Sequence, residues 1–297
     1  MWFVLSIFAT LTMVLRRTTE KKVVDGIDSL ALAWLQQAAA LPFIVMTVFF
    51  TKFYLPTELS SDFWIVMAMY VFLCSIDLYC YFKALSIADV SLVAPFMTLA
   101  AVGNIVGAYF ILGQIPSLLG VMGALLIIIG AYVIHRSKES TEVSRISDKK
   151  ALWFVLILVF ARSAGSNIEV FMLRESNPTS FNLYSTIFTV IFVLAISYLM
   201  RPKRNPNHTN YWKEVKFSIY HNVKPLVFIG FTLMLALTAT YQAKILAPNA
   251  GYVGAVKASA VVPMVIIGVM FFKEKFVNAQ WLGLILVVVG LAALATN

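Results

Sequence analysis

The segment Gly123-Ala-Leu-Leu-Ile-Ile-Ile-Gly130 returns 160 residues later as Gly283-Leu-Ile-Leu-Val-Val-Val-Gly290. The same displacement places Tyr81 on Tyr241, with no gap between the two matches. The identities are few, but the order of apolar runs, breakers and glycines is shared. The chain is therefore predicted to contain two copies of one apolar unit.

The composition indicates the class of protein. Hydrophobic residues make up 61% of the chain and charged residues 12%, whereas a soluble domain has about 25% charged residues. We therefore expect an integral membrane protein. The net charge of +9 comes mainly from short loops between apolar runs, which favours a membrane over nucleic acid as partner. The two cysteines, Cys74 and Cys80, give no disulfide framework and no metal-ligand spacing, so neither a metal nor a cofactor is expected.

A helix that crosses a bilayer needs about 20 mostly apolar residues. The segments that meet this condition are 1–19, 29–51, 63–84, 88–112, 117–135, 151–173, 179–200, 224–246, 250–272 and 277–296. The first run starts at Met1 without a basic flank or a cleavage site, so we interpret it as a span and not as a signal peptide. Two longer polar loops are predicted, at 135–150 and 201–216, and the second is rich in Pro, Asn and basic residues.

Spans one and two match spans six and seven at a displacement of 151, because Trp2 falls on Trp153 and Ser29 on Ser180. Each copy then has five spans, and an odd number makes the second copy enter the membrane from the opposite side. The predicted fold is an all-α membrane protein of ten transmembrane helices, arranged as two inverted five-helix repeats. Such repeats are related by a pseudo-two-fold axis in the membrane plane, so a site on that axis can open alternately to both sides.

The predicted domains are the first repeat at 1–134, the polar linker at 135–150 and the second repeat at 151–297. Most of the Lys and Arg residues follow odd-numbered spans, and few follow even-numbered spans. Both termini lie on the same side of the membrane in this topology. The positive-inside rule places that side outside the cytoplasm.

Two stretches of the first half resemble the drug/metabolite transporter superfamily, in particular its EamA-type members. They are Tyr81-Phe-Lys-Ala-Leu-Ser-Ile-Ala-Asp-Val-Ser-Leu-Val-Ala-Pro95 and Gly113-Gln-Ile-Pro-Ser-Leu-Leu-Gly-Val-Met-Gly-Ala-Leu-Leu-Ile-Ile-Ile-Gly130. The second half repeats the signature as Phe271-Phe-Lys-Glu-Lys-Phe276, followed by Gly283 and Gly290. The resemblance covers nearly the whole chain, and it implies a ten-helix fold with a central cavity lined by both halves.

The resemblance also sets expectations for function. Relatives move amino acids and other metabolites, sugars, nucleotide-sugars or phosphorylated compounds, and they tend to have both termini in the cytoplasm, opposite to the charge count. The family usually has a glutamate after a glycine in the hairpin before the last helix of each repeat. The second copy has Glu274 there, whereas the first copy has Gln114 after Gly113, so the role of that glutamate is not carried over to the first copy.

Small residues and prolines are candidates for helix packing and gating. In lipid, small residues allow two helix backbones to approach closely, and proline frees a carbonyl group and permits a kink. The glycines would pack the bundle or form a dimer seam, and the prolines would act as gates or as static kinks. These residues are Gly103, Gly107, Gly123, Gly130, Gly283, Gly290, Pro95 and Pro263.

Charged side chains inside spans point to a site, because an ionisable group at the bilayer centre costs at least about 2.5–3.5 kcal/mol. Arg162, Ser166 and Glu169 form one polar stripe on span six. They would contact a substrate or a coupling ion, or Arg162 would pair with Glu169 or with a neighbouring helix. Asp77 on span three would carry a proton or serve as a counter-charge.

Lys257 lies about two turns into span nine. Relatives of several subfamilies carry a basic residue near this position. By position, Lys257 resembles the residue that binds the anionic group of the substrate in the subfamilies that recognise phosphate. The usual second basic residue is absent, with Ala258 in its place. Lys257 would bind an anion, pair with Asp77 or Glu169, or extend to the interface.

Further candidate substrate contacts lie on spans two, four and seven. Asn104 occupies a face of span four equivalent to that of Lys257 on span nine, and it would face the cavity or make an interhelical hydrogen bond. Trp34, Gln36 and Tyr184 could line the cavity and would suit a substrate with an apolar body.

The function predicted from these patterns is a secondary transporter of a small metabolite in the cytoplasmic (inner) membrane of a bacterium. The chain contains no G-x-x-x-x-G-K-[ST] motif, which excludes an ATP-driven pump built on this motif. The internal cations favour an amino acid or an organic anion or zwitterion; phosphorylated or sugar-type metabolites are the alternative. Other expected partners are the lipid bilayer, a coupling proton and a second copy of the chain. A membrane enzyme and a non-transporting scaffold are the other classes, and we do not expect an enzyme.

Overall fold

The computed structural model describes residues 1–23, 29–50, 59–87, 90–139, 149–199, 211–263 and 278–296. Within these ranges the chain forms helices and no strand. We number the helices as α1 (Trp2–Val23), α2 (Ser29–Phe50), α3 (Ser61–Ile87), α4 (Val90–Leu112), α5 (Leu118–Glu139), α6 (Lys149–Glu175), α7 (Pro178–Leu199), α8 (Tyr211–His221), α9 (Val223–Leu246), α10 (Ala250–Ala258) and α11 (Asn278–Ala295).

Five of these helices contain a segment long and apolar enough to cross a membrane. The segments are Leu30–Phe50, Ser61–Ala84, Trp153–Glu175, Pro178–Leu199 and Val223–Leu246. Their apolar side chains face outward as well as inward, since Phe49 and Phe160 are among the exposed aromatic residues. An aqueous environment would disfavour this surface, whereas lipid matches it. The chain is therefore an integral membrane protein.

The two ends of the bundle can be told apart by the contacts of α1. Trp2, at its start, lies 6.5 Å from Tyr252 of α10, measured between ring centroids. Val23, at its end, packs in one cluster with Val215 of α8 and Leu226 of α9. We call the first end the near side and the second end the far side.

Helix α6 runs opposite to α1, as an inverted repeat requires. Leu173, close to the end of α6, packs with Phe63 at the start of α3 and Tyr241 near the end of α9. The end of α9 lies on the near side, because Ala243 packs against Trp2. Helix α1 thus starts on the near side, whereas its counterpart α6 ends there.

The packing pairs follow the same symmetry. Helix α1 packs mainly against α9, and its counterpart α6 packs mainly against α3, the counterpart of α9. Helices α2 and α7 pack against each other, as do α5 and α11. Each of these two pairs joins a helix to its own counterpart in the other repeat. This exchange of partners is expected around a pseudo-two-fold axis.

Four of the predicted glycines bring α5 and α11 together. A Cβ atom built on Gly290 would lie 2.6 Å from the carbonyl oxygen of Gly123, and one built on Gly283 would lie 2.7 Å from that of Gly130. The first glycine of each helix meets the second glycine of the other, so the helices are antiparallel. Only glycine allows the two backbones to come this close.

The G-x-x-x-G segment of α4 packs within the chain. Gly103 faces Ser163 of α6, and Gly107 faces Asn167 one turn later. A Cβ atom at either glycine would overlap the facing side chain. These two glycines are therefore occupied by an intramolecular contact and do not offer a free face to a second copy.

Two sequence predictions need correction. The segment 201–216 was expected to be a loop, but Tyr211–His221 forms α8, whose buried Val215 joins the far-side cluster. Arg16, Arg17 and Lys244 were counted as loop charges, but they lie inside α1 and α9. In each case a polar residue at the edge of an apolar run continues the helix because tertiary contacts bury one of its faces.

Candidate functional site

Arg162 of α6 is held by Asp77 of α3. The guanidinium Nε donates to Oδ1 at 3.1 Å and Nη2 lies 2.9 Å from the same atom, while Nη2 also donates to Oδ2 at 3.2 Å. The guanidinium carbon lies 5.8 Å from the centre of the Tyr81 ring. Of the two pairings predicted for Arg162, the structure shows the one with a neighbouring helix and not the one with Glu169, because α3 presents a carboxylate to Arg162.

Glu169 is paired with Lys244 of α9, at 2.7 Å between Oε1 and Nζ. Lys244 Nζ also donates to Ser166 Oγ at 2.7 Å and to the Ser166 carbonyl oxygen at 3.1 Å. The Tyr70 hydroxyl donates to Glu169 Oε2 at 3.3 Å. The Lys244 side chain is 5% exposed and that of Glu169 11%. This network ties α3, α6 and α9 together in the interior.

Lys257 of α10 lies next to these charges but is not paired by them. Its Nζ donates to Thr240 Oγ1 at 3.4 Å, and no carboxylate among the described residues is within ion-pair distance. The charges of Lys244, Glu169, Arg16 and Arg162 act on it. The expected pairing of Lys257 with Asp77 or Glu169 is thus wrong, because both carboxylates already bind another cation. Lys257 keeps ammonium donors for a ligand.

Asn104 of α4 is buried beside the same face of α10. Its amide nitrogen faces Gly254, which lies three residues before Lys257 and so on the same helix face. Its Oδ1 is buried and has no hydrogen-bond partner. A buried amide oxygen without a partner is costly, so this acceptor is available to an N–H group of a ligand.

Gln36 of α2 belongs to a second polar group on the far side. It accepts a hydrogen bond from Arg16 Nη1 at 3.2 Å. The same Nη1 lies 3.1 Å from Glu20 Oε1, and the Glu20 residue is 3% exposed. Arg16 and Glu20 were not predicted as site residues, because they follow the apolar part of the first run.

The predicted aromatic contacts Trp34 and Tyr184 pack in apolar clusters. Trp34 packs against the far-side cluster of apolar residues. Tyr184 of α7 lies 5.6 Å from the Trp64 ring and belongs to a near-side apolar cluster. Both residues support helix packing. The side chain of Pro95 lies outside the described residues, and Pro263 is the last described residue before a gap.

A near-side contact joins the two repeats. Gln114, in the loop between α4 and α5, accepts a hydrogen bond through Oε1 from the Ala250 amide at 2.9 Å. Its carbonyl oxygen accepts from Asn249 Nδ2 at 3.2 Å, and Ser117 donates its amide to the Tyr252 hydroxyl at 2.8 Å. Gln114 therefore caps the first turn of α10 as a neutral acceptor.

Within the described residues no three His, Cys, Asp or Glu side chains come close enough to hold a metal ion. The functional groups of this interior are charged side chains, some in ion pairs and some without a carboxylate partner. Three carboxylates, Glu20, Asp77 and Glu169, are each matched with one cation. Arg17 and Lys257 remain without a carboxylate partner among the described residues. The described residues of the interior therefore carry more positive than negative charges.

Comparisons with known proteins agree with this architecture. A crystal structure of another protein is similar over 99% of this chain and 98% of that chain, with a TM-score of 0.70 and 13% sequence identity. That likeness shows the fold. A search of curated proteins finds no match. The model of the EamA-like transporter family matches residues 1–136 and 149–296. The chain therefore belongs to the EamA-like transporter family, a family of membrane transporters.

Proposed function

We propose that the chain is a secondary transporter of a small anionic or zwitterionic metabolite, an amino acid or an organic acid. The observation that carries this proposal is Lys257, a partly buried cation that has only a hydroxyl oxygen at 3.4 Å as partner among the described residues. An ionisable group inside a membrane bundle is costly unless it is paired or used. A carboxylate of the substrate would supply the missing partner.

The groups around Lys257 favour a zwitterion over a simple anion. The free Oδ1 of Asn104 accepts hydrogen bonds only, so it suits an ammonium or amide N–H. Glu169 adds a negative charge that acts on the same place. An amino acid would place its carboxylate at Lys257 and its ammonium group toward Asn104. A phosphorylated or sugar-type metabolite is the second candidate, supported by the excess of internal cations.

Alternating access is supported by the inverted repeats. In our proposal ten helices cross the membrane, and the repeats rock about the pseudo-two-fold axis. The near-side hydrogen bond between Gln114 and Ala250 joins opposite repeats and would break when the near side opens. A proton-coupled cycle would require Asp77 or Glu169 to leave its cation partner.

The localisation that we propose is the cytoplasmic membrane of a bacterium, with both termini on one side. When Arg16, Arg17 and Lys244 are left out because they lie well inside α1 and α9, most of the other basic residues still follow odd-numbered spans. The bias of basic residues toward the far side is thus kept. Cysteine labelling of an introduced near-side residue from outside intact cells would determine the orientation.

The test is thermal stabilisation of the purified full-length protein by amino acids, organic acids, phosphorylated compounds and cationic amines. A ligand of the folded state stabilises by about 2.7 kcal/mol at a hundredfold excess over Kd. The wild type is compared with Lys257→Gln and with Lys224→Gln, a matched change at an exposed lysine of α9. We expect a carboxylate compound to stabilise the wild type and the control but not Lys257→Gln.

Uptake of the same compound into proteoliposomes then separates a transporter from the other classes. Saturable uptake that Lys257→Gln abolishes supports the proposal. Stabilisation of all three proteins by amines alone would reject the anion hypothesis and direct attention to Asp77 and Glu169. Binding without uptake would favour a scaffold or receptor, and chemical conversion of the bound compound would favour an enzyme.

A further inference from the structure

The outward side of α8 is a surface that the transport proposal does not use. Val215 and Ile219 lie one turn apart and pack into the far-side cluster with Leu226 of α9. Phe217 is 65% exposed and Tyr220 is 81% exposed. The side of α8 that is turned away from the cluster carries Lys216, Phe217, Tyr220 and His221. We call these four residues the α8 face.

Helix α8 lies at the far-side boundary of the membrane. The apolar segment of α9 begins at Val223, and its 24 residues are about 36 Å long. The hydrocarbon core is about 30 Å thick, so α9 crosses it without α8. Asn222 separates the two helices, since its backbone is not helical (φ −118°, ψ 22°) and its side-chain amide donates to the Ser218 carbonyl oxygen at 3.0 Å. The α8 face therefore lies at the level of the lipid headgroups.

Two aromatic rings form the centre of this face. Phe217 and Tyr220 are three residues apart and are therefore neighbours on the helix surface. The His221 ring packs against Phe217, with 4.0 Å between the ring centroids, and its Nδ1 atom lies 3.0 Å from the Phe217 carbonyl oxygen. Water disfavours an exposed surface of this kind. The headgroup region of a bilayer accommodates aromatic side chains that combine an apolar ring with a polar group.

Basic residues accompany the aromatic centre. Lys216 is exposed on the α8 face itself. The segment 201–224 contains one acid, Glu214, and six basic residues, which are Arg201, Lys203, Arg204, Lys213, Lys216 and Lys224. The connection from α1 to α2 on the same side adds Asp25 and Asp28, and the basic residues remain in the majority when both are included. Exposed aromatic and basic side chains on one helix are typical of segments that lie on anionic membrane surfaces.

We propose that the α8 face is a binding site for the headgroups of anionic phospholipids in the far-side leaflet. The Phe217 and Tyr220 rings enter the headgroup region, and the Lys216 ammonium group contacts a lipid phosphate. The positive-inside rule places the far side in the cytoplasm, and the cytoplasmic leaflet carries anionic lipids. This inference is independent of the proposed function, because it uses none of the charges around Lys257.

Nitroxide labelling of the full-length protein in vesicles tests where the α8 face lies. Phe217→Cys and Tyr220→Cys are labelled one at a time in a background without Cys74 and Cys80. Phe160→Cys, at a residue 71% exposed in the middle of α6, is the reference for the bilayer interior. Collision rates with oxygen and with a water-soluble nickel complex give the depth of each label. We expect both α8 labels to lie between the Phe160 label and bulk water, at the headgroup level.

A second measurement tests the preference for anionic lipid. The Tyr220→Cys label is compared in vesicles of phosphatidylcholine and in vesicles with equal parts of phosphatidylcholine and phosphatidylglycerol. We expect the label to lie deeper and to be less mobile when phosphatidylglycerol is present. Lys216→Gln should lose at least half of this shift. Arg174→Gln, at an exposed arginine on the near-side end of α6, is the matched control and should keep it. All substituted side chains are exposed, so these changes leave the fold intact.

The other outcomes overturn the inference. If the α8 labels collide with the nickel complex as freely as a label in bulk water, the α8 face lies in the aqueous phase. Labels shielded from both reagents would show that protein covers the face, for example a second copy of the chain. An equal depth in both lipid mixtures would show contact with the bilayer without recognition of anionic headgroups. An unchanged shift in Lys216→Gln would show that Lys216 does not bind the lipid phosphate.

Discussion

Lys244 Nζ lies 2.7 Å from Glu169 Oε1, so a lysine near the end of α9 neutralises a carboxylate in the interior part of α6. Ser166 Oγ accepts from the same ammonium group at 2.7 Å, and the two charged side chains are nearly inaccessible to solvent. This pair occupies the carboxylate that would otherwise have neutralised Lys257. In the proposed function, Lys244 therefore leaves Lys257 free for an anionic substrate group without itself touching the substrate.

The first prediction concerns this pair. Lys244→Met should lower the free energy of unfolding by about 3–5 kcal/mol, because it leaves the Glu169 carboxylate buried without a cation. Lys224→Met, at an exposed position of the same helix, should change it by no more than about 0.5 kcal/mol. Unfolding in mixed micelles with increasing SDS measures both.

The double variant Lys244→Met/Glu169→Gln supplies the control for that result. Removing both charges should restore most of the lost stability, since no unpaired charge remains. Equal stability of Lys244→Met and the wild type would show that the ion pair does not contribute.

Asp77→Asn should strengthen anion binding. Asp77 binds Arg162 through two of its nitrogens, so it competes with any substrate carboxylate for that guanidinium. The pair is 28% and 20% exposed, and a partly exposed pair contributes about 0.2–1 kcal/mol, which corresponds to a Kd lower by up to about fivefold. Ligand-induced thermal shifts measure the change, with Glu175→Gln at an exposed carboxylate of α6 as the control. Weaker binding would instead indicate that Asp77 holds Arg162 in its binding geometry.

Gly290→Ala should destabilise the contact between α5 and α11. The new Cβ atom would lie 2.6 Å from the Gly123 carbonyl oxygen and 2.9 Å from the Ile127 amide nitrogen, and backbone atoms cannot move aside individually. Overpacking of this kind costs about 1–3 kcal/mol.

Gly165→Ala is the matched control for that change, because its Cβ atom would meet Leu73 at an ordinary 3.8 Å. A gain of about 0.5–1 kcal/mol from the lower backbone entropy of the unfolded chain is expected there. If both alanine variants melt alike, close backbone approach at Gly290 is not required for stability.

Gln114 should respond differently to two substitutions. Gln114→Ala removes the acceptor for the Ala250 amide, which is 2.9 Å from Oε1, and should cost about 0.5–1.5 kcal/mol. Gln114→Glu keeps the acceptor and adds a negative charge at a helix N-terminus, which stabilises by about 0.3–1 kcal/mol. The melting temperature should therefore be highest for Gln114→Glu, intermediate for the wild type and lowest for Gln114→Ala.

Labelling of a cysteine at the start of α10 tests whether the hydrogen bond between Gln114 and Ala250 keeps the near side closed. In a background without Cys74 and Cys80, Ala250→Cys should react faster with a water-soluble maleimide when Gln114→Ala is added. Gln242→Ala, at an exposed glutamine of α9, should leave the rate unchanged. An unchanged labelling rate in the Gln114→Ala protein would show that this hydrogen bond does not control opening of the near side.

Much of the fold could be predicted because its signals are local and repeated. The glycines of Gly123–Gly130 and Gly283–Gly290 are seven residues apart in both copies, and a seven-residue spacing keeps them on one helix face. The shift of 160 residues between the two segments indicated two copies of one unit. The structure packs these two segments against each other. The membrane class followed from composition alone, because no arrangement of the chain could hide so much apolar surface from water.

The partners of the charges could not be predicted in the same way. Asp77 and Arg162 are 85 residues apart along the chain, and Lys244 and Ser166 are 78 apart. A sequence shows which side chains share a face of one helix, and on that basis a pair of Arg162 with Glu169 was one of the predicted alternatives. It does not show how each helix is rotated against its neighbours, which decides which faces meet.

The sequence by itself determined the membrane class, the duplication and the glycine faces, since each depends on composition or on spacing along one segment. Only the tertiary structure decided that Asp77 and Glu169 bind Arg162 and Lys244, that Gln114 caps α10, and that Arg17 and Lys257 have no carboxylate partner within the described residues. An ion pair forms where two side chains come within a few ångströms of each other. In this bundle that distance is set by the packing and rotation of helices distant in the sequence, and by no property of either segment alone.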